Sequence, residues 1–311
     1  MKRLLVGLMI LALLGAGAAW MLSAPRPAFD VAQAQAFEQG GDAERGKLVF
    51  AAGGCASCHM TPGQEDRENL GGGLKLSSPF GAFVAPNISS DKEDGVGAWR
   101  VVDLANAMIS GVSPRGEHYY PAFPYTSYHL ARIEDVRDLM AYLRTTPAVP
   151  GRAAEHEIPF PFNQRRALGL WKLLFFDSAP FAPDTAKSDS WNRGRYLVEG
   201  LGHCAECHSG RNALGGIEAS RRFAGAPDLE GKGIVPNITP DASGLAAWSA
   251  KDIAELLKSG FTPEYDSVGG TMAAVVKNTS QLSDEDRAAM AEYLKSLPPR
   301  PVPPKPPKKN G

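Results

Sequence analysis

The sequence is short of several things. It has almost no net charge, −1 over 311 residues, so its bulk electrostatics call for neither nucleic acid nor a strongly acidic partner. It contains no G-x-G-x-x-G stretch, which removes that fingerprint of a flavin or nicotinamide domain. No acid–base constellation stands out, and there are only 4 cysteines. Glycine and proline, at 33 and 25 residues, imply short helices joined by long loops. The length of 311 residues fits two domains of roughly 150 each, enough for two modest cores.

All four cysteines fall in two five-residue stretches, Cys55-Ala56-Ser57-Cys58-His59 and Cys204-Ala205-Glu206-Cys207-His208. Each reads C-x-x-C-H, the attachment signature of a c-type haem. The spacing has a chemical reason. Two thiols one helical turn apart can each form a thioether to a haem vinyl group, and the histidine that follows, His59 or His208, then ligates the iron from one face. A four-cysteine zinc ribbon wants its pairs roughly 15–20 residues apart, whereas these begin at 55 and 204. A thioredoxin-like motif wants one dithiol beside a βαβ unit and leaves the two histidines unexplained. The sequence therefore predicts two covalently bound haem c groups.

The repetition extends past the motifs. Val84-Ala85-Pro86-Asn87-Ile88-Ser89 returns as Ile234-Val235-Pro236-Asn237-Ile238-Thr239, and Asp91 to Trp99 as Asp241 to Trp248. Asp103 to Gly111 returns as Asp252 to Gly260, and Glu134 to Leu143 as Glu285 to Leu294, with offsets between 149 and 151. Such a near-constant offset marks a tandem duplication. Each unit is expected to run helix, haem motif, loop with Pro-Asn-Ile, helix, ligand loop, helix. Asp42 caps the first helix of one unit, and Asp189 or Ser190 begins that of the other. Ser249 with Asp252 and Ser283 with Asp286 form S-x-x-D caps. Gly111 and Gly260 sit where a glycine stops a helix. Leu139, Met140 and Leu143, and again Met290, Tyr293 and Leu294, give a core-facing helical stripe.

Outside the repeats, Lys2 and Arg3 precede an uncharged apolar run from Leu4 to Leu22. As a helix it nearly spans a hydrocarbon core of ~30 Å, with the positive end cytoplasmic and the rest exported. Residues 1–23 are thus a membrane anchor or a signal. Gly17-Ala18-Ala19 offers a cleavage site, but Trp20-Met21-Leu22 continues the apolar run and favours a retained anchor. Export agrees with covalent haem attachment. Residues 24–41 read as a linker, 42–149 and 190–297 as the two haem domains, and 298–311 as a disordered Pro/Lys-rich tail. The inter-domain segment 150–189 has a helix through Leu168, Trp171, Leu174 and Phe175. A connector packed between the domains is favoured over a helix lying on a membrane surface.

The sixth iron ligands decide what each haem does. Met272, on the loop before the last helix, is the candidate for the second haem, and a Met/His pair raises the potential and suits electron transfer. The equivalent first loop, Tyr119 to Ala131, has no methionine. His129 is its leading candidate ligand and His118 a lesser one, with an open or otherwise liganded site as the alternative. Met108 reads as core and His156 as surface.

The chain resembles the diheme and triheme c-type cytochrome subunits of bacterial membrane-bound alcohol, sugar and aldehyde dehydrogenases over roughly 42–297. The resemblance rests on Phe80-Gly81, on Pro86-Asn87-Ile88 and on Gly111-Val112-Ser113-Pro114 with Tyr120-Pro121-Ala122-Phe123-Pro124-Tyr125. It also uses Trp191-Asn192-Arg193-Gly194-Arg195-Tyr196, Val235-Pro236-Asn237-Ile238-Thr239-Pro240 and Gly269-Gly270-Thr271-Met272. It implies a mainly α fold of two class I cytochrome c domains in tandem, which the apolar run at the N-terminus places behind a transmembrane helix. It implies that Gly46 and Gly194 allow the first helix of each domain to pack closely on the last, against Tyr142 and Tyr293, and that Met272 ligates haem two. Relatives often carry methionine where Phe123 or Ala131 stands, so no methionine ligand passes to haem one. With only two motifs, a third haem domain is absent.

The expected function is that of a diheme cytochrome c in the bacterial inner membrane, its haem domains facing the periplasm. It accepts electrons from a periplasmic dehydrogenase and delivers them to a quinone, a soluble cytochrome or an oxidase, without being an enzyme on its own. The rival is a diheme c-type enzyme, a peroxidase or sulfur-compound oxidoreductase, using an open or unusually ligated haem one. A gas or redox sensor ranks below both.

Overall fold

The computed structural model describes residues 1–30, 32, 34–228 and 233–302. The apolar run forms helix α1 (Lys2–Leu22), none of whose residues is buried. It is the one described helix long and apolar enough to cross a membrane. A short α2 (Ala34–Phe37) follows. The segment before it is tied to the first domain: Phe29 exchanges two backbone hydrogen bonds with the Asn106 side chain, at 2.9 and 3.0 Å.

The first unit opens with α3 (Ala43–Ala52), capped by Asp42, which accepts from the Arg45 amide. Gly54, at φ +63°, turns the chain into α4 (Cys55–His59). Strands β1 (Lys75–Ser78) and β2 (Gly81–Val84) pair antiparallel where a loop was expected. Then come α5 (Val101–Ser110), the single turn α6 (Tyr125–Tyr128) and α7 (Ile133–Leu143). The connecting segment holds α8 (Ala167–Phe175). The second unit repeats the order. It contains α9 (Asp189–Arg195) continued by a π-helical turn Tyr196–Leu201, α10 (Ala205–His208) and the short pair β3 (Ala226–Pro227) and β4 (Ile234–Val235). It ends with α11 (Ala250–Ser259), α12 (Gly270–Thr279) and α13 (Asp284–Ser296).

Local chemistry explains most boundaries. Ser249 and Asp252 exchange the two bonds of a capping box, at 3.2 and 2.8 Å. Gly111 and Gly260 end α5 and α11 in the left-handed conformation. One expectation is corrected: Met272 lies in the first turn of α12, not on a loop. The stretch after Gly270 has no proline, whereas Pro121 and Pro124 confine the equivalent α6 to one turn.

In each unit the first helix crosses the last. A Cβ on Gly46 would lie 1.9 Å from the Asp138 carbonyl oxygen, and one on Gly194 1.9 Å from that of Ala289. Only hydrogen fits there. Tyr142 and Tyr293 flank the crossings and donate to Glu68 and Glu199 at 2.7 and 2.6 Å. One cluster of buried residues runs from Phe50 and Leu139 through Tyr128 to Tyr196, Leu201 and Leu294, so the two units share a continuous core.

Helix α8 bridges the units. Lys172 Nζ donates to the carbonyls of Ser110 and Gly111 at 2.7 and 2.8 Å, and Trp171 Nε1 donates to that of Leu214 at 2.8 Å. It is not enclosed between them, because Leu170, Leu173 and Leu174 are exposed. Of the expected tail, 303–311 lies outside the described residues. Its beginning is held, with the Arg300 amide donating to Thr239 Oγ1 at 3.1 Å.

Candidate haem sites

Cys55 and Cys58 share the one turn of α4, while Cys204 immediately precedes α10 and Cys207 lies within it. Burial, with Cys58 adding to it, pushes the Cys55 thiol up to about 12. Burial also pushes Cys204 up to about 12, helped by Glu199 and Cys207. A redox dithiol needs a lowered pKa. These thiols have the opposite setting, an apolar one suited to a large hydrophobic ring.

Each motif histidine is oriented in the same way. His59 Nδ1 lies 2.8 Å from the Pro86 carbonyl oxygen and His208 Nδ1 2.7 Å from that of Pro236. A carbonyl only accepts, so Nδ1 carries the proton and Nε2 keeps its lone pair for a metal. Two thiols on one turn and an imidazole with Nε2 left available fit a c-type haem in both halves.

Asparagines that sequence reasoning used only as repeat markers hold these carbonyls in place. Asn87 donates to the carbonyls of Val149 and Gly151 at 2.7 and 3.0 Å, and its Oδ1 accepts from the Ser89 amide at 2.9 Å. Asn237 donates to the Arg300 carbonyl and Ser243 Oγ at 2.7 and 3.0 Å, and accepts from the Thr239 amide at 2.8 Å. Both are buried. The signal that could have found them was the identical Pro-Asn-Ile in both units.

Of the candidate distal ligands, Met272 is half-buried against the shared core. The bridges Val112↔His118 and Phe261↔Ser267 align the two loops at an offset of 149 residues, so Phe123 stands where Met272 does. Phe123 packs on Tyr119 and Tyr128 with ring centroids at 5.5 and 5.7 Å. By the same offset, His129 occupies the place of Asn278. Its Nδ1 lies 3.0 Å from the Thr126 carbonyl and its ring stands edge-on to Phe176 at 5.6 Å. His118 is buried with Nε2 2.9 Å from the Ser23 carbonyl, at the end of α1. Met108 is core. His156 is not the surface residue expected. It accepts from the Val84 amide at 3.1 Å and packs on Phe83 and Tyr120, because the end of β2 leaves an amide in need of a partner.

Each motif bonds across the interface to the other unit through its second intervening residue. Ser57 Oγ accepts from Asn278 Nδ2 at 2.7 Å. Glu206 accepts from Thr126 Oγ1 and Ser127 Oγ at 2.7 and 3.2 Å and pairs with Arg211 at 2.5 Å. Burial alone would raise the Glu206 pKa, but Arg211 and the Thr126 hydroxyl outweigh it and hold the carboxyl below its usual range. His203, in the place of Gly54, packs edge-on against Tyr128 at 5.5 Å, and the Tyr128 hydroxyl donates to the Gly53 carbonyl at 2.7 Å.

A mainly helical fold built twice, with C-x-x-C-H closing the first helix of each copy, defines a c-type cytochrome. The cytochrome c family model matches residues 43–147 and 192–298, and the chain belongs to that family. It is 53% identical over 265 residues to a diheme c-type cytochrome of Cereibacter sphaeroides, covering 83% of this chain and 86% of that protein. It is 38% identical over 257 residues to the fructose dehydrogenase cytochrome subunit of Gluconobacter japonicus, covering 82% of this chain and 52% of that one. It is 34% identical over 275 residues to the gluconate 2-dehydrogenase cytochrome c subunit of Pantoea cypripedii, covering 85% and 62%. The chain thus spans only part of those two dehydrogenase subunits. It has two cytochrome c domains in tandem with two covalently bound haem c groups, and its place is among electron-transfer cytochromes.

Proposed function

We propose that this protein carries electrons one at a time from a periplasmic dehydrogenase toward the respiratory chain, delivering them to a quinone, a soluble cytochrome or a terminal oxidase. The observation that carries the reading is that each of two equivalent haem motifs is bonded across the interface to the other unit, Ser57 to Asn278 and Glu206 to Thr126, in a chain whose relatives include dehydrogenase cytochrome subunits. Cys55 and Cys58 would hold one haem and Cys204 and Cys207 the other, with His59 and His208 as proximal ligands. Met272 would be the distal ligand of haem two. For haem one the loop offers His129 or leaves the position open. The bound haems supply a one-electron iron couple. The chain contributes burial, axial ligands and the Pro86 and Pro236 hydrogen bonds that set each potential. Helix α1 anchors the protein in the bacterial inner membrane with both haem domains in the periplasm.

The test is co-purification from solubilised membranes. The expected result is a complex with a dehydrogenase whose substrate reduces both haems. A monomer that no dehydrogenase reduces would sink the reading. Phe123 in the place of Met272 favours one rival, an enzyme such as a peroxidase or sulfur-compound oxidoreductase working at haem one. Low-temperature electron paramagnetic resonance separates the two. Two low-spin signals without turnover of peroxide or thiosulfate support the carrier, and a high-spin haem one with turnover supports the enzyme.

A further inference from the structure

We propose that α8 and the Phe160–Phe162 turn lie on the membrane surface beside α1, embedded among the lipids of the periplasmic leaflet. This second contact would hold the first cytochrome domain against the bilayer. The inference rests on the reading of α1 as a membrane anchor.

Helix α8 has two unlike faces. Gly169 is buried against the end of α1, where a Cβ would lie 2.3 Å from the Ser23 carbonyl oxygen. Lys172 turns inward to the end of α5. The other face carries Ala167, Leu170 and Leu174 at helical spacing, with Leu173 beside them; Leu173 and Leu174 are 57% and 69% exposed. Phe160, just upstream, is 78% exposed and Phe162 47%. Five large apolar side chains on one short segment call for a covering.

The neighbour of this face says what covers it. At ~1.5 Å per residue, the 21 residues of α1 extend about 31 Å, the thickness of a hydrocarbon core of ~30 Å. Trp20 therefore stands at the membrane–water boundary, where tryptophan is favoured. Helix α8 meets α1 at this level. The Arg166 guanidinium stacks 4.2 Å over the Trp20 ring and donates to the Trp20 carbonyl at 2.6 Å and to Ser23 Oγ at 3.0 Å. An open groove of about 300 Å³ between the helices is walled by Ala16, Ala19 and Trp20 on one side and Ala167 and Leu170 on the other. Acyl chains that surround Ala16 and Ala19 fill the same groove and reach the leucines of α8. A helix with one apolar face set at this depth lies in the plane of the interface.

The experiment uses full-length holoprotein in phosphatidylcholine/phosphatidylglycerol vesicles doped with a phospholipid carrying a diazirine on its acyl chain. After illumination, labelled peptides are mapped by mass spectrometry. Label on α1 and on residues 160–174 is the expected result. Label on α1 alone overturns the proposal and leaves the anchor standing, while label on neither overturns the anchor and the proposal with it. The double variant Leu173→Glu/Leu174→Glu is expected to lose the α8 label and keep its haem content and visible spectrum; an unchanged α8 label counts against the proposal. In native membranes, cross-linking of this face to a polypeptide instead of lipid would make it a protein-docking surface and sink the idea.

Discussion

Asn278, on the helix that begins with Met272 in its first turn, donates a 2.7 Å hydrogen bond to Ser57 inside the first haem motif. Its amide oxygen accepts from Arg67, and the residue is buried. The attachment turn of one domain is therefore held by a side chain of the other. Asn278→Leu strips the partners from Ser57 and Arg67 at a closed interface, and is expected to cost about 1–3 kcal/mol. Denaturant unfolding followed at each haem should show the loss in the first domain, although the substitution lies in the second. A shift confined to the second domain would mean the contact carries no coupling.

The helix crossings at Gly46 and Gly194 leave room for hydrogen alone. Gly194→Ala forces a methyl group into the Ala289 carbonyl and should destabilise by about 3 kcal/mol, the upper part of the usual range for overpacking. Gly46→Ala should behave alike against Asp138. Thermal unfolding measures both, and a variant as stable as the parent would refute the packing described.

Asp138 is buried beneath α3, accepting from the Asp42 amide at 2.8 Å and from Arg45 at 2.7 and 3.1 Å. Burial pushes its pKa up, but the bonds from Arg45 and the Asp42 amide outweigh that and hold it below the usual carboxylate range. A folded pKa below the unfolded value of about 3.9 gives stability that is complete above that value. The stability is lost as pH falls through the folded pKa. Asp138→Asn should therefore cost about 1.5–3 kcal/mol at neutral pH, with the gap to the parent closing on acidification below about 4. Chemical denaturation across pH checks the sign, and a gap that widened in acid would be inconsistent with it.

Asn237 fixes the Pro236 carbonyl that accepts from His208. Asn237→Ala loosens that loop and weakens the Nδ1–H bond, so the imidazole becomes a poorer donor to iron. The expected outcome is a higher potential at haem two with haem one unmoved, read by spectroelectrochemical titration. Equal movement of both haems would point to a global effect.

The positional equivalence of Phe123 and Met272 predicts opposite shifts at different haems. Met272→Leu should lower the potential of haem two, and Phe123→Met should raise that of haem one by offering a thioether. Two titrations decide the matter. No change at haem one in Phe123→Met would show that the loop does not approach its iron.

Local chemistry made much of this molecule legible from its residues alone. Two thiols and an imidazole within one turn specify the cofactor. Ser249 with Asp252 specifies a helix start, and Gly111 and Gly260 specify helix ends, because each signal is complete within a few residues. The helix around Met272 was missed because the distinction from the proline-bound first loop is one of propensity, which packing completes. The hairpin of β1 and β2 turns over Pro79-Phe80. It was missed because its strands are only four residues each and what steadies their outer edge, Glu157 and His156, lies more than 70 residues away. The docking of each motif on the other unit was beyond reach altogether, since Ser57 and Asn278 are 221 residues apart and Thr126 and Glu206 are 80 apart. A duplicated sequence says that two alike domains exist. Only their docking decides which side chains become partners, because no periodicity along a chain encodes the surface a second domain will bury.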